Sequence, residues 1–250
     1  MIESRSPIVE PNLTSAWVRA MQGAEETVPL VVTVTGIKNN VALETPEIRE
    51  ALDAYLVKSK LQTCATVAGT IFPSSMWNPA RPRAELFARY GGMLPRIRHA
   101  STKNRRGTYF GRLTTGGRPD LCDGNQLEFI IHGYLEGTRR CSFMQASTFD
   151  PKEDHIAGRQ LGFPCMQHVA FTRFTENGVE QLALTAFYAT QILVERAYGN
   201  YLGLCRLGAF VAHEIGLPFT RMSCVAARAR REHPLKSMPD VDAAIAAHLA

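Results

Sequence analysis

The sequence lacks any apolar run near the ~18 residues needed to cross a bilayer. Apolar runs such as Leu30 to Val34 or Ile192 to Val194 stop far short, so no membrane span is expected. The six cysteines (Cys64, Cys122, Cys141, Cys165, Cys205, Cys224) form no C-x-x-C pair. That spread argues against a zinc site and, in a reducing compartment, against disulfides. The seven histidines show neither H-x-x-x-H nor H-E-x-x-H spacing, so no metal site is expected. Internal repeats and low-complexity tracts are missing. Met1 to Pro7 carries no basic segment followed by an apolar stretch, which predicts a cytoplasmic location. No composition break interrupts the 250 residues, so a single domain over 1–250 is expected.

A modest excess of positive charge is present. Lys and Arg number 28 against 23 Asp and Glu, a net charge of +5. It concentrates between Arg96 and Arg112 and between Arg228 and Arg231, and suits an anionic ligand. Aromatic residues are not interleaved with the basic ones, so nucleic acid is disfavoured as a partner.

Periodicity places the elements. Thr45-Pro46-Glu47 supplies an N-cap and a first-turn proline before Ile48, Leu52, Tyr55 and Leu56, spaced for one helix face. Between Asp123 and Gly137, Leu127, Ile130, Ile131, Tyr134 and Leu135 recur at helical spacing; Asp123 and Gln126 give a capping-box pattern and Gly137 a close. Strand patterns follow at Cys141 to Ala146, His168 to Phe174 and Gln181 to Tyr188, the last two joined by an Asn177-Gly178 turn. Gln191 to Ile215 is apolar with few charges and suits a helix buried in the molecule. Pro239 to Ala250 predicts a short helix carrying Val241, Ile245 and Leu249. The fold class expected is α/β (α+β).

From Asn125 to Leu207, about a third of the chain, an ordered succession of motifs resembles the thymidylate synthase superfamily. It runs through Asn125-Gln126-Leu127 opening a helix, Thr138-Arg139-Arg140 after it, Phe149-Asp150-Pro151, and Gly162-Phe163-Pro164-Cys165 before a strand. Asn177-Gly178 and Arg196-Ala197-Tyr198-Gly199-Asn200-Tyr201, entering a long helix, complete it. Upstream, Gly107-Thr108-Tyr109-Phe110-Gly111-Arg112 falls where the family has V-Y-G-x-Q-W-R, and Gln62 where it has a proton-relaying glutamate.

The resemblance implies a thymidylate synthase-like fold, with a mixed β-sheet, a central buried helix and sheet-to-sheet homodimerisation. It also implies transfer of a one-carbon unit from 5,10-methylenetetrahydrofolate to carbon 5 of a pyrimidine nucleotide, as methylation or hydroxymethylation. Such a carbon attacks an electrophile only after a nucleophile has added at carbon 6, and a thiolate near positive charge suits that step. By resemblance Cys165 is that thiolate, with Tyr109 and Gln62 as its catalytic companions. Arg139 and Arg140 hold phosphate across the dimer, Asn200 reads the pyrimidine edge, and Arg106 lies in a basic substrate-closing loop.

The sequence also departs from the family. Met166 and Ala170 stand where it has histidine and glutamine, and Tyr188-Ala189-Thr190 where it has Q-R-S, so an arginine beside the thiolate is missing unless Arg173 or Arg196 replaces it. Ile192 falls where an aspartate holds folate, and nothing around Ser223-Cys224-Val225 matches the sugar-binding H-x-Y. A specialised rather than housekeeping enzyme fits these changes, and the alternative is a catalytically silent nucleotide-binding homodimer. Simpler roles stay open for single motifs: a core cysteine at Cys165, a complement to a helix dipole at Arg139-Arg140, and a buried polar residue at Asn200. A Cys165–His168 hydrolase pair is disfavoured, since residues three apart on a strand point to opposite faces.

Overall fold

The computed structural model describes residues 6–137, 140–157 and 164–249. In chain order it forms β1 (Ile8–Glu10), α1 (Leu13–Gly23), β2 (Leu30–Val34), β3 (Ile37–Lys38), β4 (Val41–Ala42), α2 (Pro46–Lys58), α3 (Cys64–Ile71) and α4 (Arg83–Ala100). Next come α5 (Tyr109–Thr115), α6 (Gln126–Leu135), β5 (Gln145–Ser147), α7 (Pro151–Asp154), β6 (Met166–Glu176), β7 (Val179–Tyr188) and β8 (Gln191–Ile192). A wide turn, Leu193–Ala197, then leads into α8 (Tyr198–Ile215), β9 (Phe219–Ala226), β10 (Ala229–Arg230) and α9 (Pro239–Leu249).

Six strands make one mixed sheet in the order β1-β2-β9-β7-β6-β5. β7 and β9 are parallel, with α8 crossing between them; β6 and β7 form the expected antiparallel hairpin. Its turn residues, Asn177 and Gly178, both have the positive φ that a tight hairpin turn requires. Val169, Ala186 and Cys224 lie side by side on the inner face and are fully buried. The mixed α/β class is therefore the one observed, and no described helix is long and apolar enough to cross a membrane.

The inner face carries α8, which is buried on nearly every side. Its first turns press on α3 through Gly199 and Gly203. A Cβ at Gly199 would fall 2.6 Å from Val67 Cβ and 2.8 Å from the Cys64 carbonyl oxygen, so only glycine permits that approach. The opposite face of the sheet bears Val31, Thr33, Val225, Ser223, Thr185 and Phe187, half-buried or exposed.

Several local expectations need correction. Asp123 does not cap α6: it lies in a left-handed turn (φ 52°), and the Asn125 carboxamide accepts the Glu128 N–H at 3.0 Å instead. Gln126 is drawn off to bond the Arg112 and Ser147 carbonyls and the Ser147 N–H. Thr45 starts α2 without a side-chain cap bond, its backbone N–H donating to Thr14 Oγ1 at 2.8 Å. Cys141–Phe143 is a 3₁₀ turn, so the strand predicted from Cys141 begins only at Gln145. The helix predicted from Gln191 starts at Tyr198, after a short strand and a turn. Arg96-Ile97-Arg98 belong to α4 rather than to a loop. The predicted C-terminal helix is present as α9, and its Val241 and Ile245 are buried.

One ion pair ties the site side of the molecule together. Arg112 on α5 donates to both oxygens of buried Asp154 (2.5 and 2.8 Å), to the Thr148 carbonyl (2.8 Å) and to the Arg106 carbonyl (3.2 Å). Burial alone would raise the Asp154 carboxyl; the Arg112 guanidinium and the Asp150 N–H outweigh it and hold it below its ordinary value near 3.8. Asp154→Ala leaves a largely buried guanidinium uncompensated and should lower unfolding free energy by about 3–5 kcal/mol in urea titrations at pH 7. Because the native carboxyl is the stronger acid, this contribution is complete above the unfolded value and fades as pH falls through the lower native one. The gap between wild type and variant should therefore close in acid.

Candidate active site

Cys165 precedes β6, directly after buried Pro164, at the open end of the hairpin. Its carbonyl accepts the Ala189 N–H at 3.0 Å, which pins the cysteine across from the end of β7. The side chain is half-buried and the sulfur is a free thiol. Burial pushes that thiol above its ordinary value, and the positive charge of Arg196 offsets only part of the rise.

Two phenols line the same place. Tyr109 opens α5, where Thr108 caps the helix by accepting the Gly111 N–H at 3.1 Å. Its hydroxyl lies 3.5 Å from the Met166 N–H, which donates to it, and burial followed by the neighbouring Cys165 sulfur pushes the phenol well up. Tyr188 ends β7, fully buried, with its ring 6.5 Å from that of Tyr109. Its hydroxyl has no hydrogen-bond partner among the described residues, and its ionisation is strongly suppressed by burial. Both phenols stay protonated at neutral pH and are able to donate. Arg196 is the cation of the group.

Arg196 comes from the turn between β8 and α8. This turn is π-type, one residue wider per turn than an α-helix, a feature often found at functional sites. Glu232 fixes its start by accepting the Val194 and Glu195 N–H groups at 3.3 and 2.8 Å, a carboxylate where a helix N-terminus favours negative charge. Arg196 Nη1 donates to Gln62 Oε1 at 2.5 Å, and both side chains are half-buried. Gln62 thus meets Arg196 rather than standing alone. Asn200, on the first turn of α8, is buried at 4% exposure.

The remaining predicted residues lie differently. Arg139 is outside the described residues. Arg140 is exposed, its carbonyl accepting the Phe143 N–H at 3.1 Å. Arg106 is half-buried, and its Nη1 is buried with no partner among the described residues. His168 pairs across the hairpin with Phe187 on the outer face of the sheet, away from the tyrosines, which disfavours a Cys165–His168 pair. A cavity of about 420 Å³ between α1 and β2 is lined by Arg19, Glu25 and Leu30 and touches none of these groups.

Sequence reasoning named Cys165, Tyr109, Gln62 and Asn200 and raised Arg196 only as a substitute; it missed Tyr188 and Glu232. The signal for Tyr188 was its place at the first position of Tyr188-Ala189-Thr190, and Glu232 gave none. A half-buried thiol with one cation and two phenols is suited to adding covalently to a polarised double bond and to meeting the charge that develops there. No protein-family model matches the chain, and no curated protein matches it significantly.

Among the described residues nothing offsets the desolvation cost of the Tyr188 hydroxyl. Tyr188→Phe keeps the packed ring and removes that cost, so the thermal midpoint should hold or rise. Tyr188→Ala should cost about 3–5 kcal/mol through the cavity it opens. Differential scanning calorimetry of the two variants checks both.

Proposed function

We propose that this chain transfers a one-carbon unit to carbon 5 of a pyrimidine nucleotide, with Cys165 as covalent nucleophile and 5,10-methylenetetrahydrofolate as the donor substrate. The observation that carries the reading is the grouping of Cys165 with the Tyr109 and Tyr188 hydroxyls and the Arg196 guanidinium at the end of one hairpin. The sequence resemblance to thymidylate synthases over Asn125 to Leu207 agrees with it.

In this reading the Cys165 thiolate adds to carbon 6 of the base, and the electron pair of the 5,6 double bond moves towards the base oxygen. A neutral phenol and the Asn200 amide are donors available to that charge. Carbon 5 then attacks the methylene carbon of the donor as one of its two C–N bonds breaks, and loses its proton. The second C–N bond breaks to release tetrahydrofolate and leave an exocyclic methylene. This takes up water to give hydroxymethyl, or a hydride from the tetrahydrofolate to give methyl and dihydrofolate, and the 5,6 double bond reforms as the Cys165 sulfur leaves. The donor supplies the carbon at the oxidation level of formaldehyde. Ile192, at the position where the family holds folate through an aspartate, offers no side-chain acceptor, so the donor is gripped by other groups. Arg139, Arg140 and Arg106 remain the phosphate candidates, their guanidinium forks being suited to a dianion. The uncovered sheet face carrying Val225, Thr185 and Phe187 is the surface through which two copies would pair.

One observation favours the catalytically silent nucleotide-binding homodimer: burial holds the Cys165 thiol up, towards its unreactive protonated form. Release of tritium from carbon 5 of labelled dUMP, dCMP, UMP and CMP, with and without methylenetetrahydrofolate, separates the two. Wild type should release label from one of them and Cys165→Ala should lose at least about a thousandfold, since removing a covalent nucleophile removes the pathway. Nucleotide binding with no release from any of the four would favour the silent homodimer.

A further inference from the structure

We propose that the cleft between the Ser74–Met76 turn and the first turns of α4 is a second binding site, one that takes a small organic carboxylate. It stands independently of the Cys165 reading. Trp77, on its wall, sets its ring edge-on against Phe210 (centroids 5.6 Å apart) and His213 (5.4 Å), near the C-terminal end of α8. At 1.5 Å per residue His213 lies about 20 Å along that helix from Asn200, so the cleft is remote from the hairpin end where Cys165 stands.

The cavity measures about 270 Å³, below the ~300–1,000 Å³ of drug-sized ligand sites, which sets the scale of its occupant at a small molecule. Trp77 follows the turn, Arg81 leads into α4, and Glu85 and Arg89, four residues apart, share one face of that helix. Arg89 Nη1 donates to the Met76 carbonyl at 3.2 Å, which ties the helix to the turn.

Donors dominate this wall. A guanidinium carries five N–H groups. Among the described residues the Arg89 side chain meets that one carbonyl, and Arg81 meets Glu85 in an exposed ion pair at 3.8 Å. The Trp77 indole N–H is buried and has no acceptor among the described residues, a state that leaves its desolvation cost unrepaid until an acceptor arrives. α4 begins after Pro82 with no side-chain cap bond, so the positive end of its dipole acts in the same sense.

Charge counting selects the anion. Arg81 and Arg89 against Glu85 leave the wall at a net single positive charge, which one carboxylate neutralises. A phosphate dianion would overshoot, and its second charge would meet the Glu85 carboxylate. A carboxylate also matches a guanidinium fork through two parallel hydrogen bonds. Buried Leu86 and the Trp77 ring offer an apolar surface to the rest of the molecule, so the carboxylate is one carried on a small apolar body.

Benzoate titrated into the full chain tests the site through tryptophan fluorescence. The chain has two tryptophans, and Trp17 is fully buried with its indole N–H donating to the Leu193 carbonyl at 2.9 Å, so Trp77 is the reporter. The response should saturate with a Kd of about 1 mM or below. Benzyl alcohol, similar in shape but uncharged, should give no saturable response. Arg81→Gln and Arg89→Gln should each weaken benzoate about tenfold, as loss of a charge-assisted hydrogen bond does, and Trp77→Phe should abolish the signal. Both arginines are exposed, so these variants keep the fold, which circular dichroism checks. Arg19→Gln, at the separate cavity between α1 and β2, should bind as wild type does. The proposal is overturned by the lack of a saturable response, by benzyl alcohol binding as well as benzoate, by unchanged affinity in either arginine variant, or by a signal that survives Trp77→Phe. Inorganic phosphate that binds more tightly than benzoate overturns the carboxylate assignment.

Discussion

The Arg112–Asp154 pair is the constraint on which this side of the molecule depends. A buried carboxylate is tolerated only where its lone pairs are taken up, and Asp154 finds both guanidinium nitrogens of Arg112 and the Asp150 N–H at 2.9 Å. Satisfying Arg112 in turn draws in the Thr148 and Arg106 carbonyls. Thr148 then reaches the first residues of β6, its hydroxyl bonding the Met166 carbonyl and its N–H the Gln167 carbonyl. Thus α5, the segment before it, the residues after β5 and the start of β6 are fixed by one demand for charge compensation. Tyr109 is on the first of these elements and Cys165 directly precedes the last.

From the other side the position of Cys165 follows from the hairpin. Its carbonyl takes the Ala189 N–H, so the cysteine stands opposite the end of β7, and the buried Tyr188 ring is brought beside it. The chain leaving β7 turns at Gln191, whose side chain accepts from the Tyr201 hydroxyl at 3.1 Å and donates to Cys224 Sγ at 3.4 Å. Burial of Cys224, with its thiol pushed up to about 12, marks that sulfur as inert packing, in contrast to half-buried Cys165. The wide turn that follows carries Arg196 into the site, and α8 is packed so tightly that its start has little freedom to move.

Much of the fold was legible because its segments carry a clear period. The β6–β7 hairpin was, since Asn177-Gly178 can adopt the turn that flanking apolar alternation requires, and so was the body of α6 with its apolar stripe. Ends were not. The cap of α6 went to Asn125 because Asp123 is consumed by a left-handed turn, which spacing cannot reveal. The start of α8 was hidden because a helix buried on all sides has no polar face to give its phase, and π-type widening at Leu193–Ala197 leaves no compositional trace. In the site, Cys165 and Tyr109 were readable as residues of the right type in the right order. The Arg196–Gln62 contact joins positions far apart in the chain, brought near each other where α3 docks on α8.

The central claim is that Cys165 forms a bond to a pyrimidine. Fluorine at carbon 5 cannot leave as a proton does, so a 5-fluoropyrimidine nucleotide offered with methylenetetrahydrofolate should stop the reaction at the covalent adduct. Intact-mass spectrometry of the full chain should then show a gain equal to nucleotide plus donor, and peptide mapping should place it on Cys165. Cys165→Ala should show no gain. A wild-type protein that is folded, binds the nucleotide and gains no mass, or one that carries the adduct on another cysteine, would contradict the account.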